Sequence, residues 1–487
     1  MTPSTPSTPS TRRSGGRSAG ASRALDLTVV LAIVLPLITG AAVLLTRTDT
    51  PAAQDRGPAA SALGAASVVC PAAGSPVAVT TASGASGAAF AEGLGGRAGG
   101  GSGGSGGSGS GGSGRDEVEV ALAPDAVGTV PGLADEPVVV RAEDDLAPGL
   151  VAGRVAERPL RVAECAAPAP EQWFTGVGAG AGHSSVLELV NPDNGPAVAD
   201  VVVTGRAGVV DAPDLRGVAV PGRSSVRLDL ADLVPRRDEL SLHVTTQRGR
   251  VHSSVVDRID ELGAGAAAED FLPPQPEPAT SLTLLGLPAG PGSRTLVVAN
   301  DGDSEVRVGL RVLDERSVFA PEGLEDVRVA PQSVARVQLG ATLGPLVADG
   351  ALGLVLDATG PVTATLRSFV GGDLAHAVPP GEVSSSTVAV VPEGRKRLVL
   401  GGATSTGVVE VVARDASGEE LAAKRVEVSP DRGFAVGLPA RAVHLTVTPR
   451  RTPVVGAVVA ATGGSGVVRL RELVRSSLVP DVRPGLP

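Results

Sequence analysis

The chain contains very few aromatic residues. Among its 487 residues there is no tyrosine, one tryptophan (Trp173) and six phenylalanines. Single-stranded nucleic acid is usually held by aromatic stacking beside a basic groove, whereas the formal net charge here is -10. We therefore expect no nucleic acid partner. Valine, leucine and alanine must fill the cores, and a sugar-binding role is weakened except close to Trp173.

The common catalytic and cofactor motifs are also missing from the sequence. It has no Gly-x-x-x-x-Gly-Lys-Ser/Thr, no His-Glu-x-x-His and no Cys-x-x-Cys. Residues 103–107 match Gly-x-Ser-x-Gly, but that motif requires a strand before it and a helix after it. Here it lies within a run of only Gly and Ser at 99–114. We expect no enzyme, no cofactor and no metal.

Only two cysteines are present, Cys70 and Cys165. In an oxidising compartment a lone pair forms a disulfide more often than a metal site or a catalytic thiol. Two unpaired buried thiols are the alternative. A bond would tie the segment before the Gly/Ser run to the segment after it. Closing so long a loop contributes about 4 to 5 kcal/mol in the chain-entropy description.

One long apolar run, from Leu27 to Leu45, has 19 residues without a charge. A transmembrane helix needs about 20 such residues, whereas the apolar part of a cleavable signal has about 7 to 15. Residues 1–24 carry four arginines and no acid. This end is therefore expected in the cytoplasm and the rest of the chain outside it. A long cleaved signal is the alternative, because Pro36 and Gly40 suit a cleavage region.

A repeat organises the remainder of the chain. Alternating strands at 185–191 and 197–204 predict a hairpin, and the layout recurs from 294 and from 397. Each copy then has a strand that ends in a proline turn, a further strand and a closing hairpin, at 240–256 in the first copy. The turn prolines, Pro221, Pro331 and Pro430, are separated by 110 and 99 residues. A unit of about 100 residues with six short strands is typical of a β-sandwich.

We therefore predict an all-β protein, with tandem immunoglobulin-like β-sandwich repeats after an N-terminal transmembrane helix. Residues 260–271 and 374–394 are interpreted as linkers between repeats. The expected division is a disordered basic cytoplasmic tail (1–26), the transmembrane helix (27–46), a linker (47–66), an N-terminal β unit (67–175, with the Gly/Ser linker 99–114), three repeats (176–262, 280–373 and 395–475) and a tail (476–487).

Trp173 and Phe174 are the candidate binding residues. Two adjacent aromatic residues in so aromatic-poor a chain favour a core plug, with surface binding as the alternative. His243 and His252 flank the turn of the first closing hairpin. On one face, with Ser254 opposite His243, they would suit a metal pair or half of a Ser/His arrangement. No acid lies nearby in that pattern, so we favour solvent-facing polar residues.

The segment 300–305 (NDGDSE) has enough oxygens to bind calcium. It lacks the spacing of an EF-hand loop, and Asp-Gly is a common hairpin turn. We therefore favour turn chemistry.

Four segments resemble an actinobacterial family of membrane-anchored secreted proteins of unknown function. They are SVVCP (67–71), CAAPAPEQWFTG (165–176), LVNPDNGPAVADVVV (189–203) and GRVHSSVV (249–256). The first two are the most specific, because each combines a cysteine with unusual neighbours. The resemblance implies pairing of Cys70 with Cys165 and a location at the surface of a Gram-positive envelope. It implies no catalytic residues.

Three functional hypotheses follow, of which the last, a purely structural spacer, differs from the first only in having no partner. The first is a non-enzymatic, single-pass cell-envelope protein that presents β-sandwich domains to bind or scaffold other envelope proteins or polymers, with the membrane as its partner through the N-terminal helix. The alternative is an envelope enzyme that acts on cell-wall polymer, with a site near Trp173 and His183. A deep pocket that gathers these two residues and acids from different strands would favour the enzyme.

Overall fold

The computed structural model describes residues 27–45, 59–95, 117–157, 159–260 and 267–479. One compact unit contains the helix α1 (Leu27–Leu45), and a second extends from Ala60 to Leu478. The side chains of α1 are described at 30–42 and at 45. Within the described residues, no helix is long and apolar enough to cross a membrane. This finding gives no support to the transmembrane helix predicted at 27–46.

Several expectations fall on residues that are not described. They concern the basic tail at 1–26, most of the linker at 47–66, the Gly/Ser run at 99–114 and the last residues of the tail, 480–487.

The second unit begins with a short strand, β1 (Ala59–Ala62), and a first β-sandwich follows. One sheet of the sandwich has the strand order β2-β7-β4-β5, and the facing sheet has the order β6-β3-β8-β9. Small apolar residues such as Val79, Ala89 and Val138 fill the core between them. The strands are β2 (Ala65–Cys70), β3 (Val77–Thr81), β4 (Gly87–Gly93), β5 (Val118–Leu122), β6 (Gly128–Val130), β7 (Val138–Glu143), β8 (Leu150–Glu157) and β9 (Leu160–Glu164).

The second sandwich repeats this arrangement, with sheets β10-β16-β12-β13, where β14 also pairs with β12, and β15-β11-β17-β18. A four-residue helix, α2 (Leu230–Leu233), follows β15. The strands are β10 (Glu171–Val177), β11 (His183–Asn191), β12 (Ala197–Gly205), β13 (Gly208–Val210), β14 (Val218–Val220), β15 (Ser224–Asp229), β16 (Leu240–Arg248), β17 (His252–Ile259) and β18 (Ala268–Leu272).

In the third sandwich one long strand, β25, runs through both sheets. Residues 353–358 of β25 pair with β21, and residues 363–370 pair with β20. A helix, α3 (Gly340–Ala348), follows β24. The strands are β19 (Ala279–Leu285), β20 (Gly292–Asn300), β21 (Val306–Leu313), β22 (Val318–Phe319), β23 (Val327–Val329), β24 (Ser333–Gln338), β25 (Gly353–Val370) and β26 (Asp373–Ala377).

The fourth sandwich has sheets β27-β32-β29-β30 and β31-β28-β33-β34. Its strand β29 shows the alternation that identifies a half-buried strand, because every second residue from Gly407 is buried. A final strand, β35 (Ser476–Val479), pairs with β1. The strands of the sandwich are β27 (Thr387–Val390), β28 (Lys396–Gly401), β29 (Gly407–Arg414), β30 (Glu420–Val428), β31 (Phe434–Leu438), β32 (His444–Arg450), β33 (Val455–Ala460) and β34 (Gly466–Arg469).

The hairpins predicted from the sequence are wrong. β11 and β12 lie in different sheets, and so do β16 and β17 of the closing pair. An alternating pattern specifies that one face of a strand is buried. One face of the second strand can be buried whether that strand pairs with the first in the same sheet or crosses to the facing sheet. The pattern therefore located the strands but not their partners.

Strand pairing also differs from that of the immunoglobulin constant domain, whose sheets are ABED and CFG. Each sandwich has eight strand positions when β13 and β14, and likewise β22 and β23, are counted together as the fourth position and the two halves of β25 as the sixth and seventh. Every sandwich pairs its second position with its fifth and its third with its sixth, as the immunoglobulin strands B–E and C–F do. The seventh strand, however, pairs with the second, whereas the immunoglobulin strand G pairs with F. The first strand takes the place beside the sixth.

One turn recurs in all four sandwiches, where the fourth strand position leads to the fifth. A non-glycine residue there has a positive φ of 47° to 59°, a conformation that is uncommon for such residues. The four residues are Asp125, Arg223, Gln332 and Asp431, each one or two positions after Pro124, Pro221, Pro331 or Pro430. The segment predicted as a separate N-terminal unit thus has the same strand order and the same turn as the three predicted repeats.

The observed strands cross several predicted boundaries. β10 spans the boundary placed between 175 and 176, so Trp173 lies in the second sandwich. The linker interpretations are wrong where most of β18 lies within 260–271, and where most of β26 and all of β27 lie within 374–394. These strands are short and lie beside prolines or glycines, which hid their periodicity.

Within residues 60–478 the four sandwiches close into a ring. The eighth-position strands contact one another in the order β9, β18, β26 and β34, and β34 contacts β9 again. Buried apolar residues join each sandwich to its neighbour. Four small buried clusters each contain residues of two neighbouring sandwiches. They include Val69 and Val190 (first and second), Ile259 and Leu374 (second and third), Leu313 and Val399 (third and fourth), and Val151 and Val388 (first and fourth).

Candidate functional site

Both candidate binding residues are buried. Phe174 is fully buried in the core of the second sandwich, and Trp173 is 6% exposed. The indole ring stacks on His243 of the neighbouring strand, with 4.6 Å between ring centroids and 9° between ring planes. Trp173 also interacts with the carboxyl group of Asp301, which belongs to the third sandwich; burial raises the pKa of Asp301, and His243 and Trp173 act to lower it. Trp173 therefore lies at the contact between the second and third sandwiches.

His183, the other residue of the predicted enzyme site, lies in a buried polar cluster between the second and third sandwiches. Its Nε2 is 2.9 Å from Oδ1 of Asp257, and its Nδ1 is 2.9 Å from the carbonyl oxygen of Asp238. His376 of β26 approaches from the third sandwich and places its Nε2 3.0 Å from Oδ2 of Asp257. One carboxylate is thus shared by a histidine from each sandwich.

A serine completes this cluster, but its geometry is not that of a catalytic triad. Ser185 donates its hydroxyl to Oδ1 of Asp257 and not to an imidazole, whereas a serine nucleophile must be hydrogen-bonded to its base. Asp257 is fully buried. Burial alone would raise the pKa of Asp257, but the charges and hydrogen bonds of His183 and His376 hold it well below its usual range. The cluster is suited to joining the sandwiches.

An ion pair beside the cluster strengthens the same contact. Arg367 of β25 donates two hydrogen bonds to Glu239, at 2.8 Å and 3.2 Å. Both side chains are less than 9% exposed, and Arg336 adds a third charge 3.3 Å from Glu239. Arg367 also donates to the carbonyl oxygen of Gly176. A bidentate arginine–carboxylate pair of this kind fixes orientation as well as contributing energy.

A second buried ion pair closes the ring between the first and fourth sandwiches. Arg469 of β34 donates to both carboxylate oxygens of Glu164, at 3.0 Å and 2.6 Å. Burial raises the pKa of Glu164, but the charges of Arg469 and Arg471 outweigh it and lower the pKa overall. The charged residues at these contacts have partners supplied by the neighbouring sandwich.

Two carboxyl groups near the eighth-position strands behave differently. Burial raises the pKa of Asp270 well above its usual range, and it also raises that of Asp373. Asp270 accepts a hydrogen bond from the backbone N–H of Val162, which belongs to the first sandwich. Asp373 accepts one from the backbone N–H of Ser465 in the fourth. These side chains also link neighbouring sandwiches.

The arrangement of His243 and His252 on one face, which a metal pair would need, does not occur, because β16 and β17 belong to different sheets. The favoured interpretation, solvent-facing polar residues, is wrong for His252, which is buried. His243 stacks on Trp173, whereas His252 pairs with Val190 in the facing sheet and is 1% exposed. Ser254 lies opposite Glu188 and not opposite His243. In the described part of the chain no group of three or more His, Cys, Asp or Glu residues is arranged to hold a metal.

The segment 300–305 behaves as a turn. The side chain of Asn300 donates to the carbonyl oxygens of Ser304 and Ala330 and accepts from the backbone N–H of Gly302. Asn191 makes equivalent bonds at the same place in the second sandwich, to Gly195 and from Asp193. These asparagines satisfy backbone groups at the end of the second strand.

Cys70 and Cys165, the expected pair, form a disulfide in the core of the first sandwich. The bond joins β2, the first strand, to the residue that follows β9, the last strand. The match of residues 103–107 to the hydrolase motif lies outside the described residues.

A cleft of about 470 Å³ opens beside the disulfide, where the first, second and fourth sandwiches meet. Its volume is within the range of ligand sites in proteins. The walls are mainly alanine, valine and leucine from β2, β7 and the segment 471–474. Arg141, Arg250 and Arg471 add positive charge, and Glu143 and Glu472 add negative charge. Neither Trp173 nor His183 lines this cleft.

Sequence reasoning missed the cleft and the residues that join the sandwiches. Asp257 and Arg367 are charged residues at positions that should be apolar in buried strands, and that mismatch was the available signal. It indicates a buried partner but does not identify one. The cleft leaves no signal, because its walls come from segments separated by hundreds of residues.

A family model described as "Family of unknown function (DUF5719)" matches residues 126–439, which is more than half of the chain. The match begins just before β6 and ends just after β31, so it includes parts of all four sandwiches. No curated protein matches the chain. The protein therefore belongs to the DUF5719 family, a family of unknown function.

Proposed function

We propose that this member of the DUF5719 family is a non-enzymatic protein of the cell envelope, whose β-sandwiches bind or scaffold other envelope components. The observation that carries the proposal is that the buried reactive groups bind one another. The groups with the chemistry for catalysis are paired with one another at the contact between the second and third sandwiches: His183 and His376 with Asp257, and Arg367 with Glu239. Groups held in this way are not free to take up a substrate.

The location is part of the proposal. In it, the apolar run at 27–45 anchors the chain as a single-pass protein of the cell membrane, with the N-terminus cytoplasmic and the sandwiches outside. The excess of arginine before that run supports this orientation. A disulfide that is buried in the first sandwich supports an oxidising compartment.

The ring supports a binding role more than a spacer role. A spacer needs only a chain of domains that contact their neighbours. Here the fourth sandwich returns to the first through the Glu164–Arg469 pair. Closure brings side chains of three sandwiches to one cleft, and such a composite surface has no purpose in a simple spacer.

Crosslinking in intact cells, followed by isolation of the full-length tagged chain, tests the proposal. We expect reproducible envelope proteins or polymers that a control chain with only residues 1–58 and the tag does not recover. Recovery of nothing beyond the control would refute the binding role. Turnover of cell-wall polymer by the purified protein would refute the non-enzymatic part.

A further inference from the structure

The first strand of the first sandwich, β2, has a gap in its pairing at the edge of its sheet. At one end of the gap, Val69 exchanges two backbone hydrogen bonds with Ala166, at 2.8 Å and 3.1 Å. At the other end, the N–H of Leu63 donates to the carbonyl oxygen of Arg475. Between these two anchored points lie residues 64–68, and Ala65 is exposed there.

The backbone groups of Ala65 and Ser67 are directed into this gap. In an antiparallel pair, successive residues direct their N–H and C=O groups to opposite sides of the strand. The backbone N–H and C=O of Val69 point away from β7, towards Ala166. Ser67 and Ala65 lie two and four residues earlier, so their N–H and C=O groups point to the same side. Their neighbours in β7, Arg141 and Glu143, are consequently partners without backbone hydrogen bonds. An open edge of this kind is a template for another strand.

The segment that follows Ala166 cannot close the gap. If the segment that pairs through Ala166 continued along β2, Pro168 would lie opposite Ser67 and Pro170 opposite Ala65. Proline has no N–H to donate, so neither position can complete a ladder. The segment turns instead to the second sandwich, where the carbonyl oxygen of Pro170 accepts from the N–H of Thr246.

The cleft beside the disulfide lies along this open edge. Ala65, Ser67 and Val68 form one wall, and Leu473 and Val474 belong to another. A strand placed against β2 would direct alternate side chains to its two faces. One face has Arg141 directly opposite Ser67 and Glu143 directly opposite Ala65. Arg250 and Arg471 also line the cleft, so its lining has three arginines against two glutamates. Several of these groups have partners within the protein: Arg141 donates to Glu92, Arg250 donates to Asp193, and Glu472 accepts from Ser384 and Ser385.

We propose that the cleft binds an extended peptide segment of another protein, which adds to the edge of β2 as a further strand. The inference rests on the proposed binding function and names the class of partner. Backbone hydrogen bonds to Ala65 and Ser67 hold the segment, as in other cases of strand addition. Small apolar side chains on one face match the apolar walls of the cleft, and an acidic side chain opposite Ser67 lies on the face of Arg141, where the excess of arginine in the lining favours it. About five residues fit, because residues 64–68 span roughly 17 Å of strand.

The test uses full-length protein and four fluorescent peptides. Two are hexapeptides that alternate Glu with Val, one beginning with each residue, so both registers are sampled. A third replaces Glu by Lys, and a fourth carries N-methyl groups on alternate backbone nitrogens. Binding is measured by fluorescence anisotropy up to about 1 mM peptide, where even weak specific sites are occupied.

Two protein variants isolate the backbone contact. Ser67→Pro removes the N–H that faces the cleft, and proline is tolerated at sheet edges where the N–H is not used for pairing. Ser67→Ala keeps the N–H and is the matched control. We expect Ser67→Pro to weaken binding about tenfold, the effect of losing one hydrogen bond and gaining a steric conflict. Ser67→Ala should bind like the parent, and an unchanged far-UV circular dichroism spectrum verifies that both variants are folded.

The outcomes separate this inference from the proposed function. Binding of a Glu/Val peptide that is lost on N-methylation and weakened by Ser67→Pro supports strand addition. Equal binding to Ser67→Pro, equal binding of the N-methyl peptide, or no binding of either register overturns it. So do binding of anionic lipid vesicles in place of the peptide, and self-association that Ser67→Pro abolishes. If crosslinking in cells recovers the same partners with Ser67→Pro, only the edge site is refuted.

Discussion

Removing one member of the Glu239–Arg367 pair should destabilise the contact between the second and third sandwiches. In Glu239→Gln the Arg367 guanidinium stays buried, at 7% exposure, and loses the carboxylate that it holds at 2.8 Å and 3.2 Å. Loss of one partner from a buried pair costs about 3 to 5 kcal/mol. The new amide keeps an oxygen that accepts one hydrogen bond, so we expect a value near the lower limit, about 3 kcal/mol.

Intrinsic fluorescence provides the assay. Trp173 is the only tryptophan, tyrosine is absent, and the indole ring lies in this same contact. Urea titration followed at this single fluorophore therefore reports on separation of the second and third sandwiches. Glu239→Gln should lower the midpoint.

Two controls make the result interpretable. Arg367→Met combined with Glu239→Gln removes the stranded charge, so stability should return to within about 1 kcal/mol of the parent. Asp211→Asn breaks the ion pair between Asp211, which is 83% exposed, and Arg216, which is 68% exposed. Because exposed ion pairs contribute little, this variant should leave the urea midpoint unchanged. A Glu239→Gln variant as stable as Asp211→Asn, or a double variant no better than the single one, would refute the reasoning.

Three further predictions concern the first sandwich and the buried acids and bases. Replacing Cys70 and Cys165 by alanine should destabilise the protein by up to about 4 to 5 kcal/mol in urea titrations, because the bond closes a loop of 95 residues; unchanged stability would contradict this. Burial, aided by the charge of Arg471, lowers the pKa of His252 from 6.5 to about 3. As the pH falls, this histidine is therefore protonated in the unfolded chain before it is protonated in the folded protein. The free energy of unfolding should consequently fall as the pH drops from 6.5 towards 3. His252→Leu should remove that component, at most about 1.4 kcal/mol per pH unit, and an identical pH profile would count against it. Burial raises the pKa of Asp270, so its ionisation destabilises the folded protein as the pH rises above about 3.8, the ordinary pKa of an aspartate. Asp270→Asn should therefore raise the melting temperature at pH 7 and give no advantage below about pH 3.8. A lower melting temperature of the variant at pH 7 would disprove the assignment.

The sequence predicted the strands well but their partners poorly. Alternation located the ends of β11, β12, β16 and β17 to within three residues, because a half-buried strand imposes its period on the sequence. It could not show which sheet each strand joins, since either connection buries the same face. The prolines at 221, 331 and 430 mark a turn that the structure repeats. Pro124 marks the same turn, but the Gly/Ser run before it obscured the fourth copy.

The candidate site was less accessible to sequence reasoning. Trp173 and His183 stood out because aromatic and titratable residues are rare in this chain, and both do contact charged groups. Their partners, Asp301 and Asp257, lie 128 and 74 residues away. Such pairings depend on how sandwiches meet, and no local pattern encodes that. The open edge at Ser67 likewise depends on where the chain goes after Ala166.

Closure of the four sandwiches into a ring is the central claim, and small-angle X-ray scattering tests it most directly. A compact body formed by residues 60–478 has an expected radius of gyration of about 22 Å, from the scaling that holds for compact domains. Four separate domains in a row, each with a radius of gyration near 13 Å, would give a value above about 30 Å. A measured value close to 22 Å is the predicted result. A value above 30 Å would contradict the ring and the composite cleft that depends on it.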